Sequence, residues 1–147
     1  MDILSKFAET LASLMTEKGL NAPALAKILE TDRSNVTRYL AGKRLPLFHG
    51  FVKTIEFFNV SADVLLGLKD YTEITKFSPV KNFGERLREV MAETKTTQYA
   101  LHKSKNFSSA SIHNWLTGKD LPTVEKLVLL ARHMDCSVDY LLGRTDF

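Results

Sequence analysis

Arg33, Arg38, Lys43, Arg44 and Lys53 fall in a stretch, residues 33–55, that contains no carboxylate. Lys95, Lys103, Lys105 and Lys119, together with His102 and His113, fall in a second acid-free stretch, residues 94–119. The whole chain carries a formal net charge of only +3, so its carboxylates are gathered elsewhere. Two separate cationic windows of this kind are the electrostatic footprint of a protein that meets a polyanion. The bland alternative is a solvated basic face. Little other chemistry is legible. The histidines show no metal-ligand spacing, and no Ser-His-Asp set, carboxylate pair or glycine-rich phosphate loop stands at a recognisable spacing. The residues therefore imply no metal, no cofactor, no small-molecule ligand and no enzyme.

Composition fits a folded domain. Apolar residues make up 44% and charged residues 25% of 147 positions, which allows one ordinary domain or two very small ones. The longest apolar run, Leu127 to Ala131, is far too short to cross a bilayer. The N-terminal residues show no secretory signal, and the single Cys136 cannot form an internal disulfide. Both point to a cytoplasmic protein. Cys136 replaces the apolar Val60 of an internal repeat and is expected in the core.

That repeat organises the chain. Residues 39–48 read YLAGKRLPLF and residues 115–124 read WLTGKDLPTV. Shifting the sequence by 76 aligns residues 7–67 with 83–143 without a gap, and 19 of the 61 aligned pairs are identical. The unit is too long for a solenoid repeat and describes two copies of one small domain. Domain boundaries are expected at 1–68 and 82–147, with residues 69–81 as a linker in which Ser78-Pro79 favours extended chain.

The periodicity within each copy is helical. Phe7, Leu11, Leu14 and Met15, and likewise Phe83, Leu87, Val90 and Met91, form an apolar stripe on a first helix. Asn82 with Glu85 resembles a capping box. Asn21 and Thr97 cap a second helix, with Pro23 in its first turn, and Asp32 and Ser108 cap a third. Gly42 and Gly118 suit a left-handed stop. Pro46 and Pro122 precede a fourth helix, at roughly 47–58 and 123–135. Ser61 and Ser137 cap a short fifth helix. No sustained period-two alternation appears, so an all-α fold without a sheet is expected.

This ordered pattern resembles the Cro/phage-repressor, or XRE, type of helix-turn-helix family. The resemblance is carried by TQYAL at 97–101, SSASIHNWLTGKDLPT at 108–123 and LVLLARHMDCSVDYLLG at 127–143. The first copy matches through ALAKIL at 24–29, DRSNVTRYLAGKRLP at 32–46 and VSADVLLG at 60–67. It implies two tandem five-helix, lambda-repressor-like domains. In each, the third helix would enter the major groove of double-stranded DNA. Its inward stripe would be Val36, Tyr39 and Leu40, or Ile112, Trp115 and Leu116. The base-reading faces would then be Arg33, Ser34, Asn35, Thr37 and Arg38 in one copy. In the other they would be Ser109, Ala110, Ser111, His113 and Asn114. Arginine suits guanine and asparagine suits adenine through paired hydrogen bonds. Lys43, Arg44, Gln98 and Lys119 would hold phosphates.

The departures from the family pattern set further expectations. Ala22 lacks the glutamine usual at that position. Glu30 stands where glycine is usual in the turn, so that turn is expected to differ, whereas Asn106 tolerates a left-handed conformation. His102 replaces a small alanine and is expected to widen the crossing of the second and third helices, the alternative being that it tilts outward and binds phosphate. Leu47 lacks the cap that Thr123 supplies and, with Phe57, leaves apolar surface.

The sequence thus predicts a sequence-specific transcriptional regulator of bacterial or phage type, a repressor with two reading heads. It would act as a homodimer or as an intramolecular pseudo-dimer. The alternative is that one or both copies are degenerate and serve as protein–protein interaction or dimerisation modules.

Overall fold

The structure, a computed structural model, describes residues 2–147. The chain forms two compact units, the first reaching Lys76 and the second running Phe77–Phe147. The first contains α1 (Ile3–Lys18), α2 (Ala22–Leu29), α3 (Arg33–Leu40), α4 (Phe48–Phe58) and α5 (Ala62–Leu65). The second contains α6 (Phe83–Thr94), α7 (Gln98–Lys103), α8 (Ser109–Thr117), α9 (Val124–His133) and α10 (Val138–Leu141). Among the described residues there is no strand. Each of α2 to α5 begins 76 positions before its counterpart among α7 to α10.

The apolar stripes account for each core. Phe7, Leu11 and Met15 of α1 are buried, with Leu14 only half-buried. Val36, Phe51, Ile55 and Leu65 are buried in the same unit, and Phe7 packs edge-on to Tyr39 with ring centroids 6.2 Å apart and lies 6.4 Å from Phe51. In the second unit Phe83, Leu87, Val90 and Met91 face a core that includes Ile112, Leu127 and Leu141. Burying such side chains stabilises a unit by roughly 1.5–3 kcal/mol each before entropy is counted.

Helix starts follow their caps. Asn21, Ser61, Asn82, Thr97, Ser108, Thr123 and Ser137 each accept a backbone N–H in the first turn. Asp32 precedes α3 but makes no such bond, and Leu47 has no side chain able to make one. The stops differ more from expectation. Gly118 is a left-handed cap at φ 78°, but α3 ends one residue earlier on right-handed Ala41, with Gly42 following at φ 70°. The fourth helix of the second unit ends at His133 rather than near 135, because Asp135 takes φ 52° and turns the chain.

The turn between the second and third helices reverses two expectations. Glu30 adopts the left-handed conformation at φ 55°, so the first unit keeps the turn without glycine. In the second unit the left-handed residue is Lys105 at φ 68°, not Asn106. A packing exchange explains the shift. Leu29 ends α2 with its side chain buried, whereas the corresponding Lys105 is exposed and Phe107 supplies the buried group instead. Phe107 packs edge-on to Trp115 at 5.8 Å. The helix stops at Lys103, and Ser104 Oγ donates to Leu101 O to close it. His102, at the end of this shortened helix, is exposed with Nδ1 3.4 Å from Phe107 O. It does not wedge the helices apart as expected, while Ala26 at the matching position is buried. Cys136 is half-buried rather than fully in the core.

Residues 69–81 divide between the units. Asn59 Nδ2 donates to Thr75 O in the first unit. In the second, Ser78 N and Lys81 N donate to Arg144 O and Leu142 O. Arg144 lies over the Phe77 ring at 4.2 Å and pairs with Asp139 at 2.6 Å, both side chains buried.

Candidate nucleic-acid interface

The third helix of each unit is held from below by its buried stripe. Val36 and Tyr39 are buried in α3 and Leu40 half-buried; Ile112, Trp115 and Leu116 are buried in α8. The intervening residues are thereby turned outward. Arg33, Ser34, Thr37 and Arg38 are exposed, and Asn35 is half-buried. In the second unit Ser109, Ala110 and His113 are exposed, with Ser111 and Asn114 half-buried. Lys43, Arg44, Gln98 and Lys119 are all exposed. The helix N-termini and the loops after α3 and α8 therefore offer N–H groups and cations beside the same face.

The two faces are wired differently. In the first, Asn35 Oδ1 accepts from Arg38 Nη1 at 3.3 Å and from Arg44 Nη1 at 3.2 Å. Asn35 Nδ2 donates to Thr31 Oγ1 at 2.9 Å. Thr31 also hydrogen-bonds Tyr39, whose phenol burial pushes above its ordinary pKa, with Arg44 and Thr31 acting in the opposite sense. Thr37 Oγ1 is turned back to Arg33 O. In the second face the polar groups serve their own helix. Ser111 N donates to Ser108 Oγ, which in turn donates to Ser111 Oγ at 2.9 Å. Asp120, at the position of Arg44, turns its Oδ1 to accept from Leu121 N.

Each unit also has a cleft beside its turn. In the first, a space of about 260 Å³ is bounded by Asn35, Tyr39, Arg44 and Lys53, with Glu30 paired to Lys53 at 3.2 Å. In the second, an open cleft of about 580 Å³ is bounded by Tyr99, His102, Lys103, Lys105 and Lys126, among others. The convergence of Tyr99 and Lys126 on the lysines of the turn is not visible in sequence. Lys126 belongs to α9 and reaches the turn only through the fold, where it donates to Asn106 O and lies 5.7 Å from the Phe107 ring centroid. The shortened α7 is what brings Lys105 to this surface.

Among the described residues no cluster of three or more His, Cys, Asp or Glu side chains could hold a metal ion. No helix among them is long and apolar enough to cross a membrane.

Comparison with known proteins places one family match within the second unit. Residues 87–141 match the helix-turn-helix family model, a span that runs from within α6 to the end of α10. The chain is 37% identical over 62 residues to an uncharacterized HTH-type transcriptional regulator, YobD, of Bacillus subtilis strain 168. That alignment covers 42% of this chain and 55% of the relative, so the chain spans little more than half the relative's length. No solved structure matches the chain. Residues 87–141 are thus one helix-turn-helix domain of the XRE type, with α7 and α8 as its two central helices.

Proposed function

We propose that the chain is a sequence-specific regulator of transcription that binds double-stranded DNA through two reading heads, one in each unit, and represses. The observation that carries this reading is the shared construction of α3 and α8. Each buries residues at i, i+3 and sometimes i+4 and presents the polar positions between them in a carboxylate-poor surround. The helix-turn-helix match at residues 87–141 supports it for the second unit, and the name of a relative 37% identical over 62 residues supports a regulator of transcription.

Arg33 and Arg38 read guanine edges, with Ser34 and Thr37 beside them. Ser109, Ala110, Ser111, His113 and Asn114 read with weaker discrimination, because none of them carries a permanent charge. Lys43, Arg44, Gln98 and Lys119 bind phosphate and set register. The operator is asymmetric if a single chain occupies it, and palindromic if a homodimer does.

Salt titration of duplex binding tests this reading. Each phosphate neutralised contributes a slope of about −0.9 in log K against log salt. Lys43→Ala and Lys119→Ala each flatten the slope by about one such unit. Binding that is absent, or indifferent to salt, contradicts the proposal. Repression is checked with a promoter that overlaps the selected site. A second reading has one specific observation behind it: Leu47 and Phe57, at opposite ends of α4, are 66% and 37% exposed, apolar side chains that a protein partner would cover. Under that reading, substitutions in the first unit leave DNA affinity unchanged.

A further inference from the structure

Asparagine on a reading helix is ordinarily assigned to adenine, because its amide edge offers one acceptor and two donors to the base. Asn35 does not have that edge to spare. Its Oδ1 accepts from two guanidiniums, Arg38 Nη1 at 3.3 Å and Arg44 Nη1 at 3.2 Å, and its Nδ2 donates to Thr31 Oγ1 at 2.9 Å. The two guanidiniums can only donate, so they fix which way the amide faces, with the oxygen toward the arginines and the nitrogen toward Thr31. Arg38 lies on α3, while Arg44 comes from the loop nine residues further on. Among the described residues neither arginine forms an ion pair with a carboxylate.

We propose that Asn35 is a positioning residue that holds Arg38 and Arg44 as one paired guanidinium unit, Arg38 for a guanine edge and Arg44 for a neighbouring phosphate. Two like charges brought to one neutral oxygen gain little by themselves and repel each other. An anionic ligand reverses that balance, since a phosphate beside one guanidinium and the guanine acceptors O6 and N7 beside the other offset the repulsion. The tie also transmits register. Arg44 anchored on the backbone fixes the oxygen's neighbour, which limits the positions from which Arg38 reaches a base. Arginine side chains otherwise lose much rotamer freedom on binding, and holding them beforehand lowers that cost. The second unit lacks all three parts together: Ser111, Asn114 and Asp120 stand at the positions of Asn35, Arg38 and Arg44.

This inference rests on the DNA-reading function proposed above, and its test separates the two. The full-length chain is measured on its selected duplex, and on the same duplex with each base pair changed in turn. Asn35→Ala, Arg38→Ala, Arg44→Ala and their double and triple combinations are compared, with thermal melting confirming that each is folded. Asn35→Ala is expected to weaken binding about tenfold and to erase preference at the same G·C pair that Arg38→Ala erases. Asn35→Ala added to Arg38→Ala/Arg44→Ala changes binding by no more than about twofold, because the asparagine acts through the two arginines. The proposal is overturned if Asn35→Ala erases preference at an A·T pair, if its effect persists undiminished once Arg38 and Arg44 are both alanine, or if it changes nothing. A wild-type chain that selects no duplex overturns the DNA-reading function itself, a result distinct from these.

Discussion

The turn before α3 and the turn before α8 join matching helices with different chemistry. The first keeps a full-length α2, buries Leu29 and accepts a left-handed Glu30. The second shortens α7, releases Lys105 to the surface and buries Phe107 against Trp115. One exchange of the buried group thus changes which side chains surround the start of the third helix. The first unit gathers arginines on an asparagine; the second gathers lysines and a histidine around an open cleft. A core substitution in one place has altered the polar surface in another.

The contrast extends to what holds each unit, and it can be broken there. The largest effect is expected at Arg144, buried against Asp139 in the second unit, where the first unit has Leu68 at the same position. Arg144→Met leaves a buried carboxylate without its cation and costs about 3–5 kcal/mol. Trp115 is the chain's one tryptophan, so its fluorescence follows the second unit through denaturant unfolding. Next comes Gly84 in α6, where an added Cβ would lie 2.8 Å from Trp115 O. The first unit accommodates Ala8 there. Gly84→Ala is expected to cost about 1–3 kcal/mol by overpacking, read by the same fluorescence, although alanine is the better helix former.

A smaller effect sharpens the comparison from the other side. Leu47→Thr gives α4 the cap that Thr123 gives α9, and raises the first unit's stability by about 1 kcal/mol in calorimetry. Thr123→Ala lowers the second unit's stability by a similar amount. The smallest effect is confined to alkaline pH. Burial holds the Tyr39 phenol above its ordinary value, so its contribution is complete below about pH 10 and is lost as pH rises through the folded-state value. Melting scans of the wild type and Tyr39→Phe should therefore diverge only above pH 10, with the variant the less sensitive.

Sequence showed the helices and caps because those depend on neighbours three or four residues away. The stripe Phe7–Leu11–Met15 and the caps at Asn21, Thr97 and Ser108 are of this kind. The outward faces of α3 and α8 were legible for the same reason. What remained hidden depends on packing between elements. Nothing local to Lys105 says that Phe107 will take the buried place of Leu29. Nothing local to Asn35 says that a loop arginine returns to its oxygen, or that Lys126 of α9 reaches the turn. Asp32 illustrates the converse, a good cap residue that makes no cap bond.

The central claim is that two unlike heads read DNA, the first through arginine and the second through uncharged groups. The most direct measurement is selection from random duplexes by the wild-type chain, by Arg33→Ala/Arg38→Ala and by His113→Ala/Asn114→Ala. The account predicts a wild-type site in two parts, a G-containing element erased only by the first pair of substitutions and a weaker element erased only by the second. A single element, lost with one pair and untouched by the other, contradicts it.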